Sequence, residues 1–182
     1  MKVSAVLLKY HRPKELDAIC DHLKQYDFID EVLIRDNTEE NLMGYGRYLT
    51  AKKARNETIY VQDDDCIIDV QKLYDIYDGT KLINGMKLSG IDAYSGRDSM
   101  VGWGTFFDKS WIKLLDKYIN KFGVDDVLIR EADRIFTSLL PRTTIVMNVK
   151  DFPSALSKDA LFRHPEHWDY KDKALKRLRE IL

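Results

Sequence analysis

The run from Val3 to Leu8 is almost wholly apolar and shows no strict alternation of apolar and polar residues. A strand written this way is covered on both faces, which places it centrally in a parallel sheet with helices packed above and below. The run ends in Lys9-Tyr10-His11-Arg12-Pro13, and Pro13 suits the first turn of a helix predicted over Lys14 to Tyr26. Leu16, Ile19, Cys20 and Leu23 fall on one face of that helix. Glu31 to Ile34 repeats the strand pattern and breaks at Arg35-Asp36-Asn37-Thr38, so residues 3 to 37 read as a βαβ unit. The fold class expected is α/β, with ligands held beyond the carboxyl ends of the strands.

A third strand makes that edge chemically specific. In Thr58 to Asp69 the residues Ile59, Tyr60 and Val61 suit a buried strand, and Gln62-Asp63-Asp64-Asp65 interrupts it with three consecutive carboxylates. If extended geometry persists, Asp63 and Asp65 share one side and Asp64 points to the other. Close carboxylates repel, and either a proton or a hard divalent cation relieves them; the cation is the stronger expectation here. The plainer reading is helix capping, with Asp69 opening a helix over Val70 to Tyr77.

Tyr10, Arg12, Asp36 and Asn37 fall on the same edge. Tyr10 suits stacking on a base, Asp36 and Asn37 suit hydrogen bonds to base or ribose, and Arg12 offers a planar fork to phosphate. A solvated loop end and an ordinary turn are the competing readings. Gly44 and Gly46 precede a helix read over RYLTAKKARN, with Tyr48, Leu49, Ala51 and Lys52 near the sheet. Arg47 at its start opposes the helix dipole unless it faces an anion, so it is a candidate diphosphate contact or a surface arginine.

Farther along, Thr80 to Gly90 reads as a weak hairpin turning at Gly85, and residues 92 to 105 as a contact-bearing loop. Trp103 between Gly102 and Gly104 is a candidate sugar or acceptor contact, or a core plug beside Phe106 and Phe107. Helices are expected over Ser110 to Phe122 and Asp125 to Leu140. In the second, Leu128, Ala132, Ile135, Phe136 and Leu139 form the buried stripe, capped by Asp125 or Asp126. Glu131 and Asp133 flank the stripe as a candidate base or electrostatic stabiliser, against the alternative of a helix surface paired with Arg130 and Arg134. Thr143 to Val149 is a last β-rich run. In the LFRHPEHW segment Arg163, His164 and His167 cluster as candidate phosphate and metal contacts, and a charged helix over Asp172 to Leu182 ends the chain.

At 182 residues the chain fits one domain. With 29 lysines and arginines against 30 acids, no global positive field points to nucleic acid or an anionic membrane. Two cysteines, Cys20 and Cys66, are too few for a disulfide framework or a thiolate zinc site and suggest a reducing compartment. No segment reads as a signal peptide or a membrane span, so a soluble protein of the cytoplasm, or of a host's cytoplasm for a viral protein, is expected.

The order of these segments, YHRP, RDNT, GxxRY, QDDD, GWGTFF, EADRIFTSLLP and RHPEH, resembles small nucleotide-sugar glycosyltransferases of the GT-A fold over nearly the whole chain. In layout it is similar to glycosyltransferase family two and to exostosin-like catalytic domains. The resemblance implies a single GT-A (Rossmann-like) domain with a mixed, mainly parallel central sheet flanked by helices, residues 1–69 forming the nucleotide-binding half and 70–182 the acceptor half and tail. It implies a metal-dependent transfer of sugar from a nucleoside diphosphate sugar, a UDP-sugar first, to an acceptor hydroxyl, with Mn²⁺ or Mg²⁺ bridging the phosphates. Asp65 is then the leading metal ligand, Asp63 contacts ribose or metal-bound water, and His167 ranks ahead of His164 as third ligand. Arg163 and Arg47 face the diphosphate, Asp64 supports the nucleotide-sugar side, and Asp133 is the base with Glu131 as understudy. The acceptor, whether glycan, protein, lipid-linked or nucleic acid, is open, and the chain is short enough that a partner domain or oligomer is expected to complete that side. Alternatives are a nucleotidyltransferase acting on sugar phosphates and a non-catalytic nucleotide-sugar-binding module.

Overall fold

The computed structural model describes residues 1–79, 82–84, 101–140, 143–145, 149–151 and 164–182. Its strands are β1 (Val3–Lys9), β2 (Ile29–Asp36), β3 (Thr58–Gln62), β4 (Cys66–Ile68), β5 (Leu82–Asn84), β6 (Thr105–Asp108), β7 (Thr143–Ile145) and β8 (Val149–Asp151). The helices are α1 (Pro13–Leu23), α2 (Tyr45–Ala51), α3 (Val70–Ile76), α4 (Leu115–Phe122), α5 (Asp126–Ser138) and α6 (Glu166–Arg179). Among the described residues six strands form the main sheet in the order β2-β1-β3-β6-β5-β7, and β4 pairs with β8 in a separate two-stranded ladder. β1 runs parallel to both β2 and β3, β5 is parallel to β7, and β6 is antiparallel to its neighbours β3 and β5. The sheet is therefore mixed and mainly parallel, as expected.

The strand pleat divides the core into two layers. Val3, Ala5 and Leu7 of β1, Tyr60 of β3 and Phe106 of β6 pack with Leu16, Ile19 and Leu23 of α1 and Val70 and Leu73 of α3. Their sequence neighbours Val6, Ile59, Val61 and Phe107 face the other way, toward Tyr48 of α2 and Leu128, Ile135 and Phe136 of α5. This is the doubly covered strand pattern that the apolar runs predicted. α6 closes the second layer with Ala174 and Leu178, and Arg177 ties it to Asp125 at 2.7 Å and to the Tyr118 hydroxyl at 2.9 Å.

Capping and turn chemistry also match. Pro13 opens α1, Asp69 accepts from the Lys72 amide at 3.1 Å ahead of α3, and Asp125 accepts from the Leu128 amide at 3.2 Å ahead of α5. Other boundaries differ. α2 stops at Ala51, well short of Asn56, and Lys52 turns outward toward Asp116. Cys20 is only half-buried beside its layer. The helix expected from Ser110 starts as a 3₁₀ segment over Lys109–Leu114 and becomes α-helical only at Leu115. α6 begins at Glu166, directly after Pro165, and not at Asp172. Of the hairpin expected over Thr80 to Gly90, Leu82–Asn84 pairs with β6 and β7, and Gly85 lies outside the described residues.

Phe106 and Phe107 are both fully buried, one in each layer. Phe106→Ala and Phe107→Ala should each lower unfolding free energy by about 3–5 kcal/mol in urea titrations, the cost of a large core cavity.

Candidate functional site

The carboxyl ends of β1, β2 and β3 place Tyr10, Arg12, Asp36, Asn37 and the three aspartates on one edge. The strand stops at Gln62, and the chain turns through Asp64 and Asp65 before β4 starts at Cys66. Gln62 staples this turn from below. Its buried amide donates to the Cys66 carbonyl at 3.0 Å and to the Asp63 carbonyl at 3.3 Å, and its oxygen accepts from the Tyr60 hydroxyl at 2.7 Å.

The turn replaces the extended geometry on which a simple alternation of the aspartates depended. Burial still alternates, with Asp64 buried and its neighbours half-buried. The ion pairs, however, split the group differently: Asp64 Oδ1 takes Arg12 Nη1 at 2.7 Å, Asp65 Oδ2 lies 3.9 Å from the same nitrogen, and Asp63 Oδ1 takes Arg47 Nη2 at 2.6 Å. Burial pushes the Asp64 carboxyl above the usual range, and Arg12 pulls it back only in part.

Arg47 is the centre of the arrangement. Only 4% of its side chain is exposed, and besides Asp63 it faces Asp133 Oδ2 at 3.5 Å. The other Asp133 oxygen accepts from the Tyr48 hydroxyl at 2.8 Å. Residues 47 and 48 of α2 thus connect the acidic turn of β3 to a carboxylate of α5. Burial works against the charge on Arg47, and Asp133 and Asp63 more than offset it, so the guanidinium is held even more firmly protonated than usual. Burial raises the Asp133 carboxyl, with Arg47 opposing. Asp63 and Asp133 nevertheless keep 40% and 27% of their side chains accessible, so two open carboxylates sit over a buried cation.

Glycines let the backbone come this close. A Cβ on Gly102 would lie 1.9 Å from Asp63 Oδ2, and the Gly102 carbonyl accepts from the Asp63 amide at 2.7 Å. Gly104 has φ +83°, and a Cβ there would meet Ile68 at 2.8 Å and the Tyr60 hydroxyl at 3.1 Å. Gly102 and Gly104 therefore shape the acidic turn, while Trp103 between them is half-buried against the α1 layer.

Other expected site residues have internal partners. Asn37 is buried, accepting from Arg35 at 3.1 Å and donating to the Met43 carbonyl at 3.3 Å. Asp36 pairs with Lys9 at 2.6 Å and accepts from Thr38, which depresses its pKa. Tyr10 is exposed, its ring beside His11. Glu131, where α5 departs from helical geometry (φ −111°, ψ 19°), is turned inward and pairs with Arg134 at 2.9 Å. Its Oε1 lies 3.6 Å from His167 Nδ1, and neither atom has a hydrogen-bond partner among the described residues. Burial and then the charges of Arg134, Lys171 and Arg130 lower the His167 pKa. His164 is exposed, and Arg163 lies outside the described residues.

Among the described residues no three His, Cys, Asp or Glu side chains gather at metal-binding spacing, so Asp63, Asp65 and His167 do not form a ready ligand set. The donor chemistry of the turn does fit Mn²⁺ or Mg²⁺. Asp63 and Asp65 are half-buried carboxylates, and such ions accept one or two carboxylates when phosphate oxygens and water supply the rest. Tyr48 and Gln62 fall inside quoted segments, yet the sequence gives neither of them a role at the site. Tyr48's neighbour Arg47 and the amide placed directly before three acids were the available signals. No helix among the described residues is long and apolar enough to cross a membrane.

No protein-family model matches the sequence, and no curated protein does. Solved structures do. S. aureus TarS 1-349 in complex with UDP is 14% identical over 98% of this chain and 64% of that one, with a TM-score of 0.59. The mannosyltransferase PcManGT from Pyrobaculum calidifontis, in complex with GDP-Man and Mn²⁺, is 12% identical over 96% and 64%, also at 0.59. A glycosyltransferase involved in glycosylation of the major capsid of PBCV-1 is 11% identical over 99% and 100%, at 0.50. The chain thus spans less than two thirds of the first two. Across nearly its whole length it shares the GT-A fold of these glycosyltransferases.

Proposed function

We propose that the chain is a metal-dependent glycosyltransferase that moves a sugar from a UDP-sugar to an acceptor hydroxyl. The observation that carries this reading is the Asp63–Arg47–Asp133 bridge, which joins an acidic strand-end turn to a separate helix carboxylate while leaving both carboxylates partly accessible. UDP as the base-bearing half of the donor follows TarS, solved with UDP and with UDP-GlcNAc. Residues 1–69 would hold the nucleotide and residues 70–182 the acceptor side.

Asp65 and Asp63 would hold Mn²⁺ or Mg²⁺, which when bound supplies positive charge opposite a departing diphosphate. Asp133 would take the acceptor proton. Tyr48 fixes one of its oxygens, and the carboxylate stays partly open. Glu131 does not compete for that role, because its carboxylate is closed in by Arg134 and has only 3% exposure. Arg12 holds Asp64 and thereby the back of the turn.

The reading is tested by calorimetric titration with UDP and GDP, each with and without Mn²⁺. UDP should bind only when Mn²⁺ is present, and the absence of metal-dependent binding to either nucleotide overturns the proposal. Asp133→Asn should lower turnover by at least about 10²-fold, the usual scale of a general base, while metal-dependent UDP binding is kept. Because burial raises the Asp133 pKa, its basic form is lost on acidification earlier than for an ordinary aspartate. The acid limb of the rate profile should therefore lie above the normal aspartate range and vanish in Asp133→Asn. Asp65→Ala should abolish metal-dependent UDP binding with little change in Tm. Asp64→Ala should mainly lower Tm, since it strips the half-buried Arg12 of its closest anion.

A further inference from the structure

Asp63 is not free to meet a cation as it stands. Its Oδ1 is 2.6 Å from Arg47 Nη2, and its Oδ2 is pressed against Gly102 so closely that a Cβ there would overlap it at 1.9 Å. Arg47 in turn has a second anion in reach, Asp133 Oδ2 at 3.5 Å, held ready by the Tyr48 hydroxyl on the other oxygen. Among the described residues Nε and Nη1 of Arg47 are buried without a hydrogen-bond partner, so within that part of the chain the guanidinium uses only part of its donor capacity. A buried cation with two candidate anions at unequal distances has two arrangements available. In one it holds Asp63, and in the other it holds Asp133.

From this geometry we infer that Arg47 is a positioning residue that latches Asp63 in the ligand-free protein, competes with a divalent cation for it, and passes to Asp133 when the cation takes Asp63. The inference rests on the metal-dependent reading above. Its consequence is reciprocal coupling: whatever draws Asp63 off Arg47 tightens the hold of Arg47 on Asp133, and whatever weakens the Asp133 contact tightens the latch. A cation alone has to displace a guanidinium from the carboxylate it needs. A cation arriving with a diphosphate brings further oxygen ligands to the same exchange and so depends less on Asp63.

Two measurements test this at fixed pH. The first needs no metal and is a set of thermal unfolding curves for Arg47→Met, Asp63→Asn, Asp133→Asn and the two double variants containing Arg47→Met. Each aspartate substitution should be better tolerated in the Arg47→Met background than in the wild type, because its carboxylate has there lost the cation it paired with. Additive shifts overturn the latch, whatever the protein does with metal. The second is Mn²⁺ affinity without nucleotide, read by electron paramagnetic resonance. Arg47→Met should bind Mn²⁺ about tenfold more tightly than wild type, the scale of one modest ion-pair contribution, and Arg47→Lys should fall between them. Asp133→Asn, which keeps Arg47 and leaves it only Asp63, should bind Mn²⁺ more weakly and remains informative if Arg47→Met fails to fold. Unchanged or reversed affinities overturn the competition. If Mn²⁺ binds no variant even with UDP or GDP present, the metal-dependent reading fails and the competition with it, while the unfolding curves still decide the latch.

Discussion

A guanidinium withdrawn from water requires anions around it, and Arg47 obtains them from two parts of the chain that are 70 residues apart. Asp63 comes from the end of β3 and Asp133 from the middle of α5. Leaving a buried cation without a counterion is costly, so this guanidinium constrains where both elements lie. The sheet edge, the acidic turn and the long helix are located relative to one another by a charge requirement as well as by the packing of Tyr48 on Phe107 and Phe136. That is why the open carboxylates sit above a closed interior: the energetically demanding group is underneath, and the groups available for chemistry are its counterions.

The glycines and Gln62 solve a different problem, that of bringing backbone and carboxylates together without collapse. Three adjacent carboxylates repel one another, and a turn carrying them needs fixed dipoles and cations to hold its form. Gln62 binds both sides of the turn, Gly102 gives it a carbonyl and room, and Arg12 and Arg47 pull Asp64 and Asp63 in separate directions. Asp63 is thereby drawn to a different cation from the one that Asp64 and Asp65 face.

Much of the fold was legible because it is written in burial. The unbroken apolar runs of β1 and β3, Pro13 ahead of α1 and the stripe of α5 all state a local preference that tertiary packing then satisfied. The edge that collects the site followed from the βαβ order alone. Side-chain pairings were not legible in the same way. Arg47 read equally well as a surface residue, since nothing in RYLTAKKARN says which arginine the sheet will cover. The residue pattern sets Glu131 and Asp133 side by side and only the resemblance ranks Asp133 first; the departure from helical geometry at Glu131, which turns that carboxylate inward onto Arg134, is not written in the pattern. The start of α6 differs from the expected Asp172 because His167, which reads as a ligand, lies in its first turn, directly behind Pro165 at the N-cap.

The two-stranded ladder has a bearing on how the protein is made. β4 leaves the acidic turn at Cys66 and pairs with Val149–Asp151, so the far side of the turn is fastened by a segment more than 80 residues later in the chain. During synthesis β1 has both of its neighbours, β2 and β3, within the first 62 residues, while the other edge of β3 waits for β6. The far side of the turn, where β4 begins, lacks its strand partner until β8 leaves the ribosome. The β4–β8 ladder is thus among the last pairings available to the growing chain, and a nascent chain lacking β8 carries β1, β2 and β3 without the strand that fastens the far side of the acidic turn.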